Sequence, residues 1–559
     1  MNKEMKVYCS NLKEYVKIQG GDSLMAIYER VKDRIDINPI CARVNNKTEN
    51  MGFPVYSPKQ VEFLGVESPS GRRVYVHSLC MVLYKAVHDT FPGMTLRIEH
   101  SISNGYYALF IQNGEILPST DIMVTAVKRR MAEIIEKDIP FVRHEKLTTD
   151  VVKIFEKQGL ADKVKLLKYS EELYTVYYTL DGLADSFYGN LAPSTGYLKV
   201  FDLKQYKKGM LLSPIGKEDV TKPAEAVTQD KMYKAFTDYL DFNHIIGIKN
   251  VGELNDVVRN GNINMLMNVA EALHTKSFSL IAEEISRRYK EGGARIVLIA
   301  GPSSSGKTTS SKRLAIQLMC NLLVPQIISL DNYFVNRVDT PRDESGDYDY
   351  ESLYALDLEL FNRDLNALIA GEEVDLPTYN FETGMREFRG DKMKLGKNSI
   401  LLIEGIHGLN PELTAAIPEE QKFRVYASAL TTLSIDDHNW VPTTDNRLLR
   451  RMIRDHKYRG VSARDTIARW QSVRSGEEKW IFPYQENADA TINSSLLFEL
   501  GVMKDYAEPL LRQVPHNVPE YAEAWRLRAL LSYFLPISEK QIPSTSLLRE
   551  FLGGSSFRY

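Results

Sequence analysis

Residues 296–309, IVLIAGPSSSGKTT, constrain this chain more than any other stretch. The apolar run from Ile296 to Ala300 has the character of a strand buried on both faces of a parallel sheet. It leads into Gly301, four residues, then Gly306, Lys307 and Thr308, the spacing of a P-loop. Small residues, Ser303, Ser304 and Ser305 among them, let the backbone curl until its N–H groups converge on phosphate oxygens. Lys307 supplies a point charge and Thr308 a hydroxyl for Mg2+. Thr309 and the helical spacing that continues to Met319 set a helix N-terminus behind the phosphates.

At 559 residues the chain has room for about three or four domains. Its hydrophobic (43%) and charged (26%) fractions are those of an ordinary soluble protein. A net charge of −3 offers no global attraction to nucleic acid or anionic lipid, which argues against a nucleic-acid partner. Cys9, Cys41, Cys80 and Cys320 are widely spaced and form no CxxC pair, so they read as reduced core thiols. The first residues, MNKEMKVYCS, lack an apolar signal core, and no run approaches the length of a membrane span. These features predict a cytoplasmic protein with no membrane partner.

Residues 5–18 alternate about a Ser10-Asn11 turn and predict a hairpin, and Gly20-Gly21-Asp22 then introduces a helix over 23–32. Strand patterns at 39–44 and 61–64 complete a small β-grasp module over 1–65. Helical spacing over 76–91, 120–137 and 148–158, with a strand at 106–111, predicts an α+β domain over 66–216. The stretches VHSLCMVLYKAVHDTFP, NGYYALF and DGLADSFYGNLAPSTGYLKVFDL, following a β-grasp module, resemble the N-terminal half of threonyl-tRNA synthetases, their TGS and editing-type domains. That family's editing site uses an HxxxH pair and a later CxxxH pair. Here those positions are His77, Met81, Phe187 and Leu191. The resemblance therefore implies a retained scaffold that has lost its editing chemistry, with His77 a satisfied structural histidine.

Residues 217–292 turn helical, and the stripe Phe278, Ile281, Ala282, Ile285, Tyr289 marks packing. They read as a connector to a P-loop domain over 293–500, with 501–559 a helical extension that serves as packing material. Apolar runs at 326–330 and 399–403 predict two more strands, ending at Asp331 and Glu404. Ligands of parallel α/β sheets sit outside the carboxyl ends of the strands, so both carboxylates should face the phosphate site. Arg447, Arg450, Arg451 and Arg454 recur at i, i+3, i+4 and i+7 on a helix beginning after Asp445. Such a stripe is either a solvated basic face or a lid that clamps phosphate. Asp436-Asp437-His438 reads as an acidic surface loop. A phosphate cradle, a hydroxyl, two strand-end carboxylates and an arginine helix are close to all that phosphoryl transfer requires.

The motifs GPSSSGKTT, SLDNYF, DYDYES, DLPTYNFETGMREF, LLIEGI and RRMIRDHKYRG follow one another over about 200 residues in the order of the uridine kinase and phosphoribulokinase family, which this part of the chain resembles. The resemblance implies that Asp331 is the general base and that Asp349, Tyr379 and Phe381 line the acceptor pocket. It also implies that Thr308 and Glu404 hold Mg2+, that Arg451 faces the acceptor, and that Arg454 and Arg459 join the loop residues Gly301, Ser303, Ser304, Ser305, Gly306, Lys307, Thr308 and Thr309 in binding ATP. Uridine kinases usually carry a histidine where this chain has Gly384, an arginine at Val461 and a glutamine at Arg469. The expectation is an α/β kinase of a nucleoside, uridine or cytidine first, or of another sugar-like acceptor. The alternative of another class is a nucleotide-dependent regulatory or tRNA-binding protein. A fused front half also leaves room for a homo-oligomer.

Overall fold

The computed structural model describes residues 4–343 and 346–558. The P-loop strand Ile296–Ala300 lies at the centre of a five-stranded sheet in which every neighbouring pair is parallel. The spatial order is Val324–Ser329, Ser399–Glu404, Ile296–Ala300, Lys422–Ser428, Ala490–Asn493. The P-loop strand and its neighbour Ser399–Glu404 are buried at every residue, the consequence of cover on both faces. On one face the helices Lys307–Cys320 and Ile263–Lys290 pack through Leu314, Leu318, Phe278 and Ile285. The predicted packing stripe of the connector thus faces the sheet. On the other, Leu360, Phe361, Leu365 and Leu368 of Leu358–Ile369 close a second core.

The front of the chain holds a mixed five-stranded sheet with the helix Leu24–Glu29 against it. Its first and last strands, Glu4–Cys9 and Gln60–Leu64, pair in parallel. The next unit is built on Pro69–Thr90, a helix buried along most of its length, with antiparallel sheets beside it. This helix begins seven residues before the predicted 76–91. Ser68 caps it, accepting from Gly71 N, and Pro69 takes the first helical position. The polar residues that masked its first turns have distant partners: Arg72 donates to the carbonyls of Ile215 and Gly216, and Arg73 pairs with Glu523.

A short hairpin, Ser434–Asp436 with Asn439–Trp440, corrects the expectation of an acidic surface loop. Asp436 and His438 are buried, with Lys163 Nζ 2.9 Å from both Asp436 and Asp185, and His438 Nδ1 2.7 Å from Asp185. The acids attract a lysine some 270 residues away, which no local pattern reveals. His77 is likewise not the satisfied histidine expected. Its Nδ1 has no hydrogen-bond partner, and its ring lies between Phe187 and Trp440 of the hairpin, at centroid distances of 6.2 and 5.9 Å. Met81, Phe187 and Leu191 are buried apolar residues of the same core.

Candidate active site

Three strands deliver the site. The P-loop strand ends at Gly301, where a Cβ would stand 1.9 Å from the carbonyl oxygen of Ala427, so only glycine permits the chain to turn there. Ser304 and Gly306 take left-handed conformations, and the helix Lys307–Cys320 starts without a side-chain cap. Its first N–H groups therefore point at the loop, a ready anion site. The hydroxyls of Ser304 and Ser305 are buried there without partners, donors that phosphate oxygens would satisfy. Lys307 Nζ rests 3.1 Å from the carbonyl of its own loop residue Pro302. Burial draws the lysine below its usual range, opposed by Glu404 and Asp331.

The strand Ser399–Glu404 ends on its carboxylate, and that carboxylate is bound on both sides. Thr308 Oγ1 donates to Glu404 at 3.4 Å and Ser329 Oγ donates at 3.1 Å. Burial, with Asp331 adding to it, pushes the Glu404 carboxyl up to about 7, the mark of a buried anion short of positive charge. A hydroxyl and a carboxylate side by side are hard oxygen donors and fit Mg2+, which keeps most of its shell for water and phosphate. Asp331 lies two residues past its strand, in the short turn Leu330–Tyr333 that Ser329 caps. It is solvent-accessible at the mouth of the site. The surrounding protein raises its carboxyl above the usual aspartate range against Lys307, Arg459 and Arg454.

The arginine helix is Thr443–Arg459. Arg447 and Arg450, expected on one stripe with Arg451 and Arg454, are neither solvated nor free to clamp. Both are fully buried: Arg447 pairs with Glu477 and donates to the carbonyl of Ser303 at 2.9 Å, and Arg450 pairs with Glu499 and donates to Ser494. Glu477 also accepts from Ser303 N at 2.9 Å, so the pair braces the P-loop from behind. Arg451 Nη1 reaches Ser303 Oγ at 2.8 Å. Asp455 then gathers Arg451, Arg454 and Arg459 at 3.3, 2.8 and 3.4 Å. One carboxylate for three guanidiniums leaves a positive excess beside the loop.

On the acceptor side Tyr379 is buried and its hydroxyl has no partner, while the Phe381 ring is exposed. Their centroids lie 5.1 Å apart, with Phe334 5.5 Å from Tyr379. Tyr379 N lies 3.5 Å from Asn332 Oδ1, one residue beyond Asp331. Asp349 accepts from Glu351 N at 3.2 Å and so shapes its own turn.

With that geometry in view, comparison with known proteins is direct. Residues 296–496 match the model of the Phosphoribulokinase / Uridine kinase family. Residues 296–496 are a domain of that family. The uridine kinase of Halobacterium salinarum is 28% identical over 196 residues, 35% of this chain and 77% of that protein. A possible uridine kinase from Bacillus stearothermophilus, solved as a structure, is 21% identical, with 36% of this chain and 89% of that one covered at a TM-score of 0.24. The threonine–tRNA ligase of Parabacteroides distasonis is 25% identical over 190 residues, 34% of this chain. The chain spans only 28% of that ligase's length.

Within the kinase-family domain the structure brings Lys307, Thr308, Glu404, Asp331, Arg451, Arg454 and Arg459 together at the carboxyl edge of the sheet, and Tyr379 beside Asn332, the neighbour of Asp331. Several participants escaped the sequence reading. Ser329 and Asp455 lie inside quoted motifs, and Asp455 stands four residues from both Arg451 and Arg459, a spacing that could have found it. Glu351, pushed up to about 7 by burial and then by Glu477, feels Arg451 and Lys307. Glu550 comes from the extension read as packing material. Its Oε2 accepts from Thr309 N at 3.2 Å and from Thr309 Oγ1 at 2.6 Å, at the first turn of the P-loop helix.

Proposed function

We propose that this chain is an ATP-dependent kinase that transfers a phosphoryl group to a hydroxyl of a nucleoside or sugar-like acceptor. The convergence of Lys307, Thr308, Glu404 and Asp331 at the carboxyl ends of neighbouring strands carries the reading. The loop N–H groups and Lys307 hold the phosphates of ATP. Mg2+, held by Thr308 and Glu404, would neutralise charge on the transferring group. Asp331 takes the proton of the acceptor hydroxyl onto its carboxylate as that oxygen attacks. Its raised pKa moves a weak base toward the working pH, which improves proton transfer. Arg454 and Arg459 bind phosphate from the helix side, and Arg451, tied to Ser303, keeps the loop in register with that helix.

The test is ADP production by wild type and Lys307→Ala with ATP, Mg2+ and a panel of nucleosides, pentoses and their phosphates. Acceptor-dependent ADP release that the variant loses is the expected result. Equal release with no acceptor would make the protein an ATPase, and tight ATP binding without any release would favour a regulatory role.

Two acceptor readings stand within this proposal. Uridine or cytidine follows from the likeness to uridine kinases. A different sugar-like acceptor is favoured by one observation at Gly384: the space beyond its Cα is filled by the side chain of Arg337.

A further inference from the structure

The end of the chain lies against the phosphate cradle. Residues 539–556 form a buckle closed by Arg549, which pairs with Glu539 at 3.1 Å and donates to the carbonyls of Glu539, Ile542 and Gly553 at 3.0, 2.8 and 3.4 Å. Ser556 N donates to the carbonyl of Ser544 at 3.0 Å and ties the far side of the buckle to the near one. The buckle presents the short helix Arg549–Leu552 to the kinase-family domain. Glu550 takes both the N–H and the hydroxyl of Thr309. A Cβ on Gly306 would stand 3.4 Å from Ser494 and 3.6 Å from Leu547, so the last glycine of the loop is walled by chain. On the other side the Phe551 ring lies 5.0 Å from the Arg450 guanidinium, and the carbonyl of Leu552 accepts from Lys457 of the arginine helix.

These contacts fall at one end of the phosphate row. The N–H groups of a P-loop and its helix cradle the α- and β-phosphates, and the lysine reaches towards the γ-phosphate. Lys307, Thr308, Glu404 and Asp331 mark the γ end, where transfer takes place. Thr309 lies one residue further into the helix, at the end from which the α-phosphate and nucleoside continue. Glu550 therefore occupies a donor that the phosphate of a nucleotide needs, and Leu547 fills space against the loop. A carboxylate and a phosphate are like charges in competition for one N–H, and both cannot hold it. Leu547, Leu548, Phe551 and Leu552 are buried, so packing delivers the carboxylate and makes this closed arrangement the resting one. Gly553 and Gly554, both at positive φ, follow the short helix and give it a hinge.

We propose that residues 546–553 are an autoinhibitory strap: in the resting protein they close the nucleoside side of the phosphate cradle, and a nucleotide binds only when the strap swings away from Thr309. The proposal rests on the kinase reading above and concerns the same site. Pyrophosphate, which has neither an α-phosphate nor a nucleoside to place, is the ligand that the closed strap still admits. The apparent Kd for ATP is the intrinsic one divided by the fraction of molecules with the strap open, so loosening the buckle tightens ATP binding. Since the strap also holds Lys457, its release unpins the far end of the helix that carries Arg454 and Arg459.

The experiment measures Kd for ATP and for pyrophosphate, each with Mg2+, by titration calorimetry on the full chain as wild type, Arg549→Ala and Lys307→Ala. Hydrogen exchange of residues 546–553 is followed with each ligand. Arg549→Ala opens the clasp and leaves Glu550 and its charge in place. It should tighten ATP by about tenfold, through the open fraction, and leave pyrophosphate within about twofold. In wild type ATP, and not pyrophosphate, should speed exchange of the strap. An equal gain for both ligands, or no gain for ATP in a variant that melts as wild type does, overturns the strap while leaving the kinase reading intact. So does exchange that ATP slows or leaves unchanged. Pyrophosphate binding with no ATP binding in either protein overturns the strap's release and ATP as the donor together, and absence of Lys307-dependent binding of both ligands removes the kinase reading itself. If Arg549→Ala does not fold, the exchange of wild type decides alone.

Discussion

Replacing Glu550 by glutamine isolates one charge at the phosphate cradle. The Glu550 carboxylate accepts from both the N–H and the hydroxyl of Thr309. An amide oxygen can accept the same two bonds, so the variant keeps the shape and removes only the charge. That charge has two opposite effects. At a helix N-terminus a carboxylate is stabilising by about 0.3–1 kcal/mol, so the variant should melt slightly earlier without ligand. Against an incoming nucleotide the same carboxylate repels: two unit charges about 5 Å apart at an effective dielectric of about 20 interact by about 3 kcal/mol. Lys307 and solvent offset part of this, and a residue of about 1–2 kcal/mol corresponds to a roughly tenfold tighter Kd for ATP in Glu550→Gln. Titration calorimetry with ATP at low and high salt measures it, and the gain should shrink as salt screens it. Unchanged or weaker ATP binding in a variant that melts normally would refute the reasoning and make Glu550 a helix cap and nothing else.

The other predictions concern the same centre and its supports. Asp331→Asn should leave ATP affinity within about twofold and lower kcat by about 10²–10⁴, the range of a general base, and normal turnover would remove Asp331 from that role. Glu404, Glu351 and His438 should each take away stability as pH rises between about 5 and 8, while the buried neutral histidines His77, His100, His274 and His407, held well below the usual imidazole range by burial, add stability up to about pH 7. Glu404 and Glu351 are pushed up to about 7 and His438 above its usual value, so each group's stabilising share is full below its unfolded pKa and vanishes as pH passes the folded one. Melting temperatures of wild type, Glu351→Gln and Glu404→Gln across that range separate the carboxylates' share, and variants whose curves run parallel to wild type would contradict the burial of these carboxylates. Trp440→Ala, which empties the space against His77 and Tyr106, should cost about 3 kcal/mol and lower kcat together with the melting temperature. Full activity in a destabilised variant would show that the hairpin does not position the arginine helix.

What the sequence made legible follows from distance along the chain. The P-loop, the carboxylates at or just beyond the ends of Val324–Ser329 and Ser399–Glu404, and the arginine helix are local patterns, each set by spacing within about 20 residues. The roles within the arginine stripe were not legible. Arg447 and Arg450 look identical to Arg451 in periodicity, and what separates them is the presence of Glu477 and Glu499 on other helices. Glu550 binds a residue 241 positions away, and its own neighbourhood, LLREFLGG, carries no sign of an anion site. Asp436 and His438 appeared solvated for the same reason, since charge in a sequence says nothing about the lysine that will neutralise it. Buried ion pairs are costly unless fully partnered, so their residues are legible only after the fold has brought the partners together.

The synthetase-like front half and the kinase-family domain meet through the hairpin at residues 434–440, and that junction gives the retained scaffold a physical task. Trp440 packs on Tyr106 and His77, and Asn439 binds the carbonyl of Ser186 while accepting from Tyr188 N. Three residues after Trp440 the arginine helix begins. A second brace reaches its first turn, where Tyr188 and Arg526 share a hydrogen bond and Arg526 pairs with Asp445 at 2.5 Å. The helix start is therefore held by Tyr188 of the front half together with Arg526 of the extension, while its far end carries Arg454, Arg459 and the left-handed stop at Gly460. Its middle is pinned by Arg447 to Glu477 and by Arg450 to Glu499, so the front half and the kinase-family domain hold one helix between them. The hairpin packed against His77 and Tyr106 thus serves as a bearing for the start of that helix.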